Sequence, residues 1–234
     1  MFPLKALRKQ NTTPYVTFGL IAVNVLVFAW QLTLSQSQLG SVFMNAALVP
    51  CEASRSVFSP ETWLDSFRTM FLHGGWLHLV GNMVFLLIFG PHIEEYFGKV
   101  KYLLFYIAAG TTANLLHTAI NWNVCIPSIG ASGAIMGLMG SFFLLYPATR
   151  IRVVAFFFRV PVGTVDTQAF YLLAAYFVFD FINGLGALGV SNTATGGVAV
   201  WAHIGGFLGG LLLTFIAIIF KPPPPVDEFE YLDH

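Results

Sequence analysis

The stretch VAVWAHIGGFLGGLLLTFIAIIF, Val198–Phe220, holds no Asp, Glu, Lys or Arg, and its single histidine, His203, comes near its start. A run of that length matches the roughly 20 helical residues, at about 1.5 Å each, that cross the hydrocarbon of a bilayer. Working outward, five more apolar segments stand at about Tyr15–Leu34, Trp76–Phe89, Val100–Ile120, Ser132–Tyr146 and Gln168–Ile182; the second, fourth and fifth spans are short for a bilayer, as helices are whose ends are buried in protein or line a wet cavity. Composition agrees: of 234 residues 56% are apolar and 9% charged, where an average soluble domain carries about 25% charged residues. Mean hydropathy is +0.74. The expectation is an all-α membrane protein, a bundle of six transmembrane helices. The first apolar run is too long for a secretory signal and lacks a small-residue cleavage site, so no cleaved leader is expected.

Charge orients the bundle. Lys5, Arg8, Lys9, Lys99, Lys101, Arg150, Arg152, Arg159 and Lys221 fall on one side of a six-span topology, and only Arg55 and Arg68 on the other. The positive-inside rule then puts both termini in the cytoplasm. Residues 1–13 read as a short cytoplasmic segment, 14–220 as the membrane domain and 221–234 as a Pro-rich acidic tail, a stiff spacer with a solvated end. A long outer loop, about residues 33–75, contains the amphipathic stretch Thr62–Phe71, which suits a segment lying in the membrane interface. Zero net charge points to no nucleic-acid partner. No Cys–His cluster has metal-ligand spacing and no Gly–Lys phosphate loop occurs, so neither metal nor cofactor is expected. Cys51 and Cys125 share the outer side; a disulfide in an oxidising compartment and two unrelated thiols are both open readings.

Polar groups inside spans are costly and mark function by default. His78 and Asn82 open the second span, Gly130, Ser132 and Gly133 the fourth, and His203 the sixth. These three spans run in the same direction, so the groups share one depth in the outer part of the bilayer. A serine hydroxyl needs a base to become a nucleophile, and histidine is the usual one. Ser132 at a helix start has a backbone N–H without an intrahelical partner, free to face an oxyanion. His78 and Asn82, four residues apart on one helix face, can add side-chain donors. Gly130 and Gly133 let a substrate backbone approach. Gly133, Gly137, Gly140 and Ser141 on one span, and Gly205, Gly206, Gly209 and Gly210 on another, form small-residue faces that suit close packing. Each residue also has a plain reading: a small interface residue for Ser132, a satisfied core histidine for His203, a helix-to-helix bond for His78 and Asn82. His73 reads as loop or packing, His92 and His117 as interfacial, and Glu94 and Glu95 as partners for Lys99 or Lys101. Asp180 could belong to a proton path, but no basic partner is evident for it.

His78-Leu-Val-Gly-Asn82, Gly130-Ala-Ser132-Gly133 and Ala202-His203-Ile-Gly205-Gly206 together resemble the signatures of rhomboid intramembrane proteases, in that family's order and on its spans two, four and six. The resemblance implies a Ser132–His203 dyad with no acid member, and hydrolysis of a peptide bond in or beside the transmembrane helix of single-span membrane proteins. It also implies a site open to the outer face, lateral entry near span five, and a bacterial inner-membrane location. Two positions depart from the pattern. Phe67-Arg68 stands where the family often has Trp-Arg. Met136 stands where it often has an aromatic against the catalytic histidine, although a thioether can also pack on an imidazole. A non-catalytic rhomboid-like escort for membrane proteins is the alternative, and a small transporter a third reading, for which the inverted repeats and charged path are lacking.

Overall fold

A computed structural model describes residues 1–157, 160–187 and 200–224. Arg159, the head of the sixth span at Val198 and the acidic end of the tail lie outside the described residues. Among the described residues six apolar helices carry the fold: α1 (Tyr15–Gln31), α5 (Trp76–Phe97), α6 (Lys99–Ile120), α7 (Ser132–Leu145), α8 (Ala169–Ala187) and α9 (Val200–Phe220). Four of them, α5, α6, α8 and α9, are long and apolar enough to cross a membrane, while α1 and α7 are shorter apolar helices. A helix satisfies its own backbone groups, which is why it is the form such segments take in lipid. Leu104, Phe179, Leu212, Ile219 and other large apolar side chains stay exposed on the outside of the bundle. That distribution suits lipid, and with it the chain is an integral membrane protein.

The second span is longer than the expected Trp76–Phe89. α5 continues through Pro91 to Phe97, because its last turns are buried against α1 and α7. The fifth, α8, likewise runs 19 residues. Only α7, with 14 residues, stays short among the three expected to be so, and nearly all of it is buried. It is the central helix, with α9, α6 and α5 around it. A helix whose ends stop inside protein need not reach both faces of the membrane.

The packing of α9 follows its glycines. A Cβ added at Gly206 would lie 2.0 Å from the Gly133 carbonyl oxygen, and one at Gly210 2.0 Å from that of Gly137. The neighbouring stripe, Gly205 and Gly209, faces α6 at Thr112 and Ala113. The two small-residue faces of α9 therefore serve two different helices. Thr214 donates to the Ser141 hydroxyl at 2.8 Å, closing the buried α7–α9 seam with a satisfied pair.

Glu94 has a different partner from the expected lysines. Its carboxylate accepts from the Val16 and Thr17 backbone N–H groups at 2.9 and 2.8 Å and from the Thr17 hydroxyl at 2.8 Å. These are first-turn N–H groups of α1, which have no intrahelical acceptor and sit at the positive end of the helix dipole. Glu95 accepts from the Asn11 backbone and side chain, and Lys99 instead lies over the Tyr15 ring. His92, expected at an interface, is 4% exposed and edge-on to Phe142.

A three-stranded antiparallel sheet, absent from the all-helical expectation, covers one end. β1 (Phe2–Ala6) pairs with β2 (Arg150–Phe157), which pairs with β3 (Val160–Gln168). Ile151 and Val153 of β2 are fully buried, while Arg152 on the other face grips Asp166 of β3 through two bonds of 2.8 and 3.0 Å. Lys221, after α9, bonds to Tyr96 at the end of α5. The N-terminal segment, the residue just after α9 and most of the basic residues thus gather at this end.

At the other end, the long loop folds into α2 (Gln36–Ala46), α3 (Pro50–Ala53) and α4 (Pro60–Arg68), followed by a 3-10 turn at Thr69–Phe71. Ser35 and Gln38 cap α2 reciprocally, and Ser59 with Pro60 starts α4, as such residues do at helix N-termini. Cys51 is bonded to Cys125, with Cα atoms 5.1 Å apart. Beside that bridge the backbone pairs Cys51 with Val124 and Leu48 with Ser128, so the loop is tied to the segment that leads into Ser132.

Candidate active site

Ser132 is the first residue of α7, so its N–H has no partner within the helix. Its side chain and those of His78 and His203 are half-buried, so the site is open at the loop end of the bundle. The entry to α7 is set by Gly130, at φ +121°, a backbone region that side chains rarely adopt. Its N–H bonds to the Thr69 carbonyl at 2.9 Å. A Cβ at Gly130 would fall 2.7 Å from Nε2 of His78 and 3.5 Å from the Asn82 amide nitrogen. The sequence-expected group Gly130, His78 and Asn82 is therefore brought together directly beside Ser132.

Hydrogen bonds settle which atoms these side chains present. The Gly74 N–H donates to Nδ1 of His78 at 3.4 Å, which makes Nδ1 an acceptor and puts the proton of a neutral ring on Nε2. That is the nitrogen turned toward Gly130. Asn82, 8% exposed, gives one amide N–H to Nε2 of His73 at 3.0 Å and retains a second. His73 can accept there because its Nδ1 faces the Phe71 carbonyl at 3.3 Å. The backbone of His73 is held in turn by Gln31 at the end of α1, which accepts from its N–H at 3.0 Å and donates to its carbonyl at 2.9 Å. His73 is thus more than a loop residue: with Gln31 it orients Asn82. A polar residue buried at the end of an apolar run was the signal for Gln31, but nothing in the spacing connects it to His73.

His203 stands on the first turn of α9, one residue beyond Ala202, whose carbonyl would lie 3.7 Å from a Cβ on Gly133. The helices bearing Ser132 and His203 thus touch at the level of the two residues. Among the described residues, His203 makes its side-chain hydrogen bond to Asp180 of α8, Nδ1 to Oδ2 at 3.0 Å, and not to Ser132. Asp180 thereby gains the basic partner that was missing in the sequence. Met136, one turn beyond Ser132, is 6% exposed within the core. Phe67 packs on Phe71 with ring centres 5.2 Å apart, and Arg68 pairs with Asp65 at 3.5 Å. Burial holds the Asp65 carboxyl above its ordinary range, with Arg68 opposing it. No group of three or more metal-ligating side chains occurs among the described residues.

With a free N–H on Ser132, an Nε2–H on His78 and an amide on Asn82 converging at one helix start, the arrangement can receive a developing oxyanion. Comparison with known proteins bears on its origin. The rhomboid domain model matches residues 60–220. The chain is 30% identical over 201 residues to rhomboid protease GluP of Bacillus subtilis (strain 168), covering 86% of this chain and 34% of that protein. It is 31% identical over 169 residues to RHOMBOID-like protein 1 of Arabidopsis thaliana, covering 72% and 38%. To Rhomboid-like protease 5 of Toxoplasma gondii it is 32% identical over 151 residues, covering 64% and 16%. The chain thus spans about a third of the length of GluP and of the plant protein. A domain match over more than half of its residues, carrying the serine, histidine and asparagine positions just described, makes this chain a member of the rhomboid family.

Proposed function

We propose that the protein is an intramembrane serine endopeptidase, which cuts a peptide bond within or beside the transmembrane segment of single-span membrane proteins. The observation that carries the reading is the meeting of α7 and α9 through glycine backbones at the level of Ser132 and His203, with His78 and Asn82 beside the same helix start. Relatives named as rhomboid proteases support it.

In this reading the Ser132 hydroxyl oxygen attacks the scissile carbonyl carbon and Nε2 of His203 takes its proton. The carbonyl oxygen becomes an oxyanion, received by the Ser132 N–H, His78 Nε2–H and the Asn82 amide. Collapse of the tetrahedral species breaks the C–N bond, and His203 passes its proton to the departing amine. Water then hydrolyses the acyl-enzyme, with His203 again as base. Each oxyanion donor is worth roughly 2.7–4 kcal/mol of barrier where such groups have been removed. Half-burial of the site supplies the water this last step needs. The basic end is read as cytoplasmic, so the site opens outward, in the inner membrane if the cell is bacterial.

A fluorescent fluorophosphonate tests the reading without a known substrate. Wild type in detergent should label, and Ser132→Ala and His203→Ala should not while remaining folded. Labelling that survives either substitution would remove the dyad. A folded wild type that neither labels nor cleaves a single-span substrate would favour a membrane-protein escort instead.

A further inference from the structure

The sequence of α8, AFYLLAAYFVFDFINGLGA, contains one ionisable carboxylate, Asp180. A carboxylate in an apolar span is costly unless something compensates it. Here its Oδ2 sits 3.0 Å from His203 Nδ1, with the histidine 16% and the aspartate 17% exposed. A carboxylate only accepts, so the hydrogen between the two belongs to Nδ1 of the imidazole. A neutral ring with its proton on Nδ1 has its lone pair on Nε2, the nitrogen left to act as a base. Among the ionisable groups around His203, Asp180 from α8 is the one in contact. His78 from α5 and His117 from α6 lie within electrostatic reach, Tyr176 stands one turn before Asp180 on α8, and α7 contributes none.

We propose that Asp180 is a positioning residue for the base: it holds His203 in the tautomer and orientation in which Nε2 can take the Ser132 proton, and stabilises the imidazolium formed. The helix that lines the expected lateral entry then also sets the state of the base, and the site works as a Ser–His–Asp relay spread over α7, α9 and α8. This departs from the two-residue dyad that the family resemblance implies, and it rests on the Ser132–His203 reading above. A buried aspartate does this work in soluble serine proteases, where the amide substitution leaves the geometry and costs about 10⁴-fold in kcat. The partial exposure of this pair makes a smaller effect appropriate, about 10- to 10³-fold.

The test is steady-state cleavage of a single-span reporter in liposomes by wild type, Asp180→Asn and Asp180→Glu. Asp180→Asn should lower kcat with KM little changed, and Asp180→Glu should restore part of the loss. Wild-type kcat in Asp180→Asn would overturn the proposal, as would a loss of kcat with no rescue by glutamate. A measurement that needs no Asp180 variant stands beside these. In ¹⁵N-histidine-labelled wild type, with His203 assigned by its loss in His203→Ala, neutral His203 should carry its proton on Nδ1; a proton on Nε2 would overturn the proposal even if the aspartate variants fail to fold. Cleavage that survives Ser132→Ala would instead bring down the protease reading itself, a result distinct from an Asp180 variant that alone is silent.

Discussion

Gly206 of α9 and Gly133 of α7 meet through their backbones, with room for no side-chain carbon at Gly206. Gly133 follows Ser132, and Gly206 lies one turn below His203, so this contact sets the separation of the two proposed catalytic residues. Gly206→Ala should force the helices apart, costing about 1–3 kcal/mol as overpacked core substitutions do, and fluorophosphonate labelling should fall at least about tenfold. Gly19→Ala, where an added Cβ meets nothing within 4 Å, is the control. Unfolding in detergent and labelling of the two variants decide the matter.

Gly130→Ala separates chemistry from stability. An alanine at φ +121° would be strained, and its Cβ would press on the His78 ring. The backbone term should cost about 1–3 kcal/mol, whereas displacement of one oxyanion donor should lower kcat about 10²- to 10³-fold. A variant that loses stability but keeps its kcat would place His78 outside the oxyanion site.

The Cys51–Cys125 bond closes 74 residues of chain. Denatured, unreduced protein should therefore titrate no free thiol. Replacing both cysteines by serine should lower stability by about 2–4 kcal/mol. The loss should fall first on the loop that leads to Gly130, readable as faster amide exchange there.

The sheet carries its own pH dependence. The Arg152 hydrogen bonds hold the Asp166 carboxyl below its ordinary value of 3.8. A group depressed on folding stabilises above its unfolded pKa, and that contribution fades as pH falls from there through the folded value. Protection of the β2–β3 amides should drop on acidification below about 4, and in Asp166→Asn the drop should disappear. The pair is exposed, so global stability should barely respond.

The apolar runs announced the helices, because that signal is local in sequence, and the topology they implied put Ser132, His203, His78 and Asn82 at one depth as candidates. What escaped was carried by contacts between distant residues. Arg150 and Arg152 alternate with Ile151 and Val153, a strand pattern of period two, but within a basic connector it read as topology. The carboxylate of Glu94 looked like a partner for nearby lysines, whereas the unpaired N–H groups of α1, 77 residues earlier, offered it more bonds. Asp180 was noticed as an expensive group, and only the folding of α8 against α9 brought it to His203. Gln31 and His73 illustrate the same point: each is polar and buried, and their pairing joins α1 to the turn before α5.

The pairing of β1 with β2 also bears on how the chain is made. Phe2–Ala6 leaves the ribosome well before its partner Arg150–Phe157, which follows only after the segments of α1, α5, α6 and α7. During synthesis the first strand must wait unpaired while those helices enter the membrane. Lys5 within it and Arg8 and Lys9 just after it guard that waiting edge against pairing with another nascent chain, as charges do on open strand edges. Closure of the sheet then joins the strand before α1 to the strand after α7, and marks the point at which the central helix and its neighbours have been inserted.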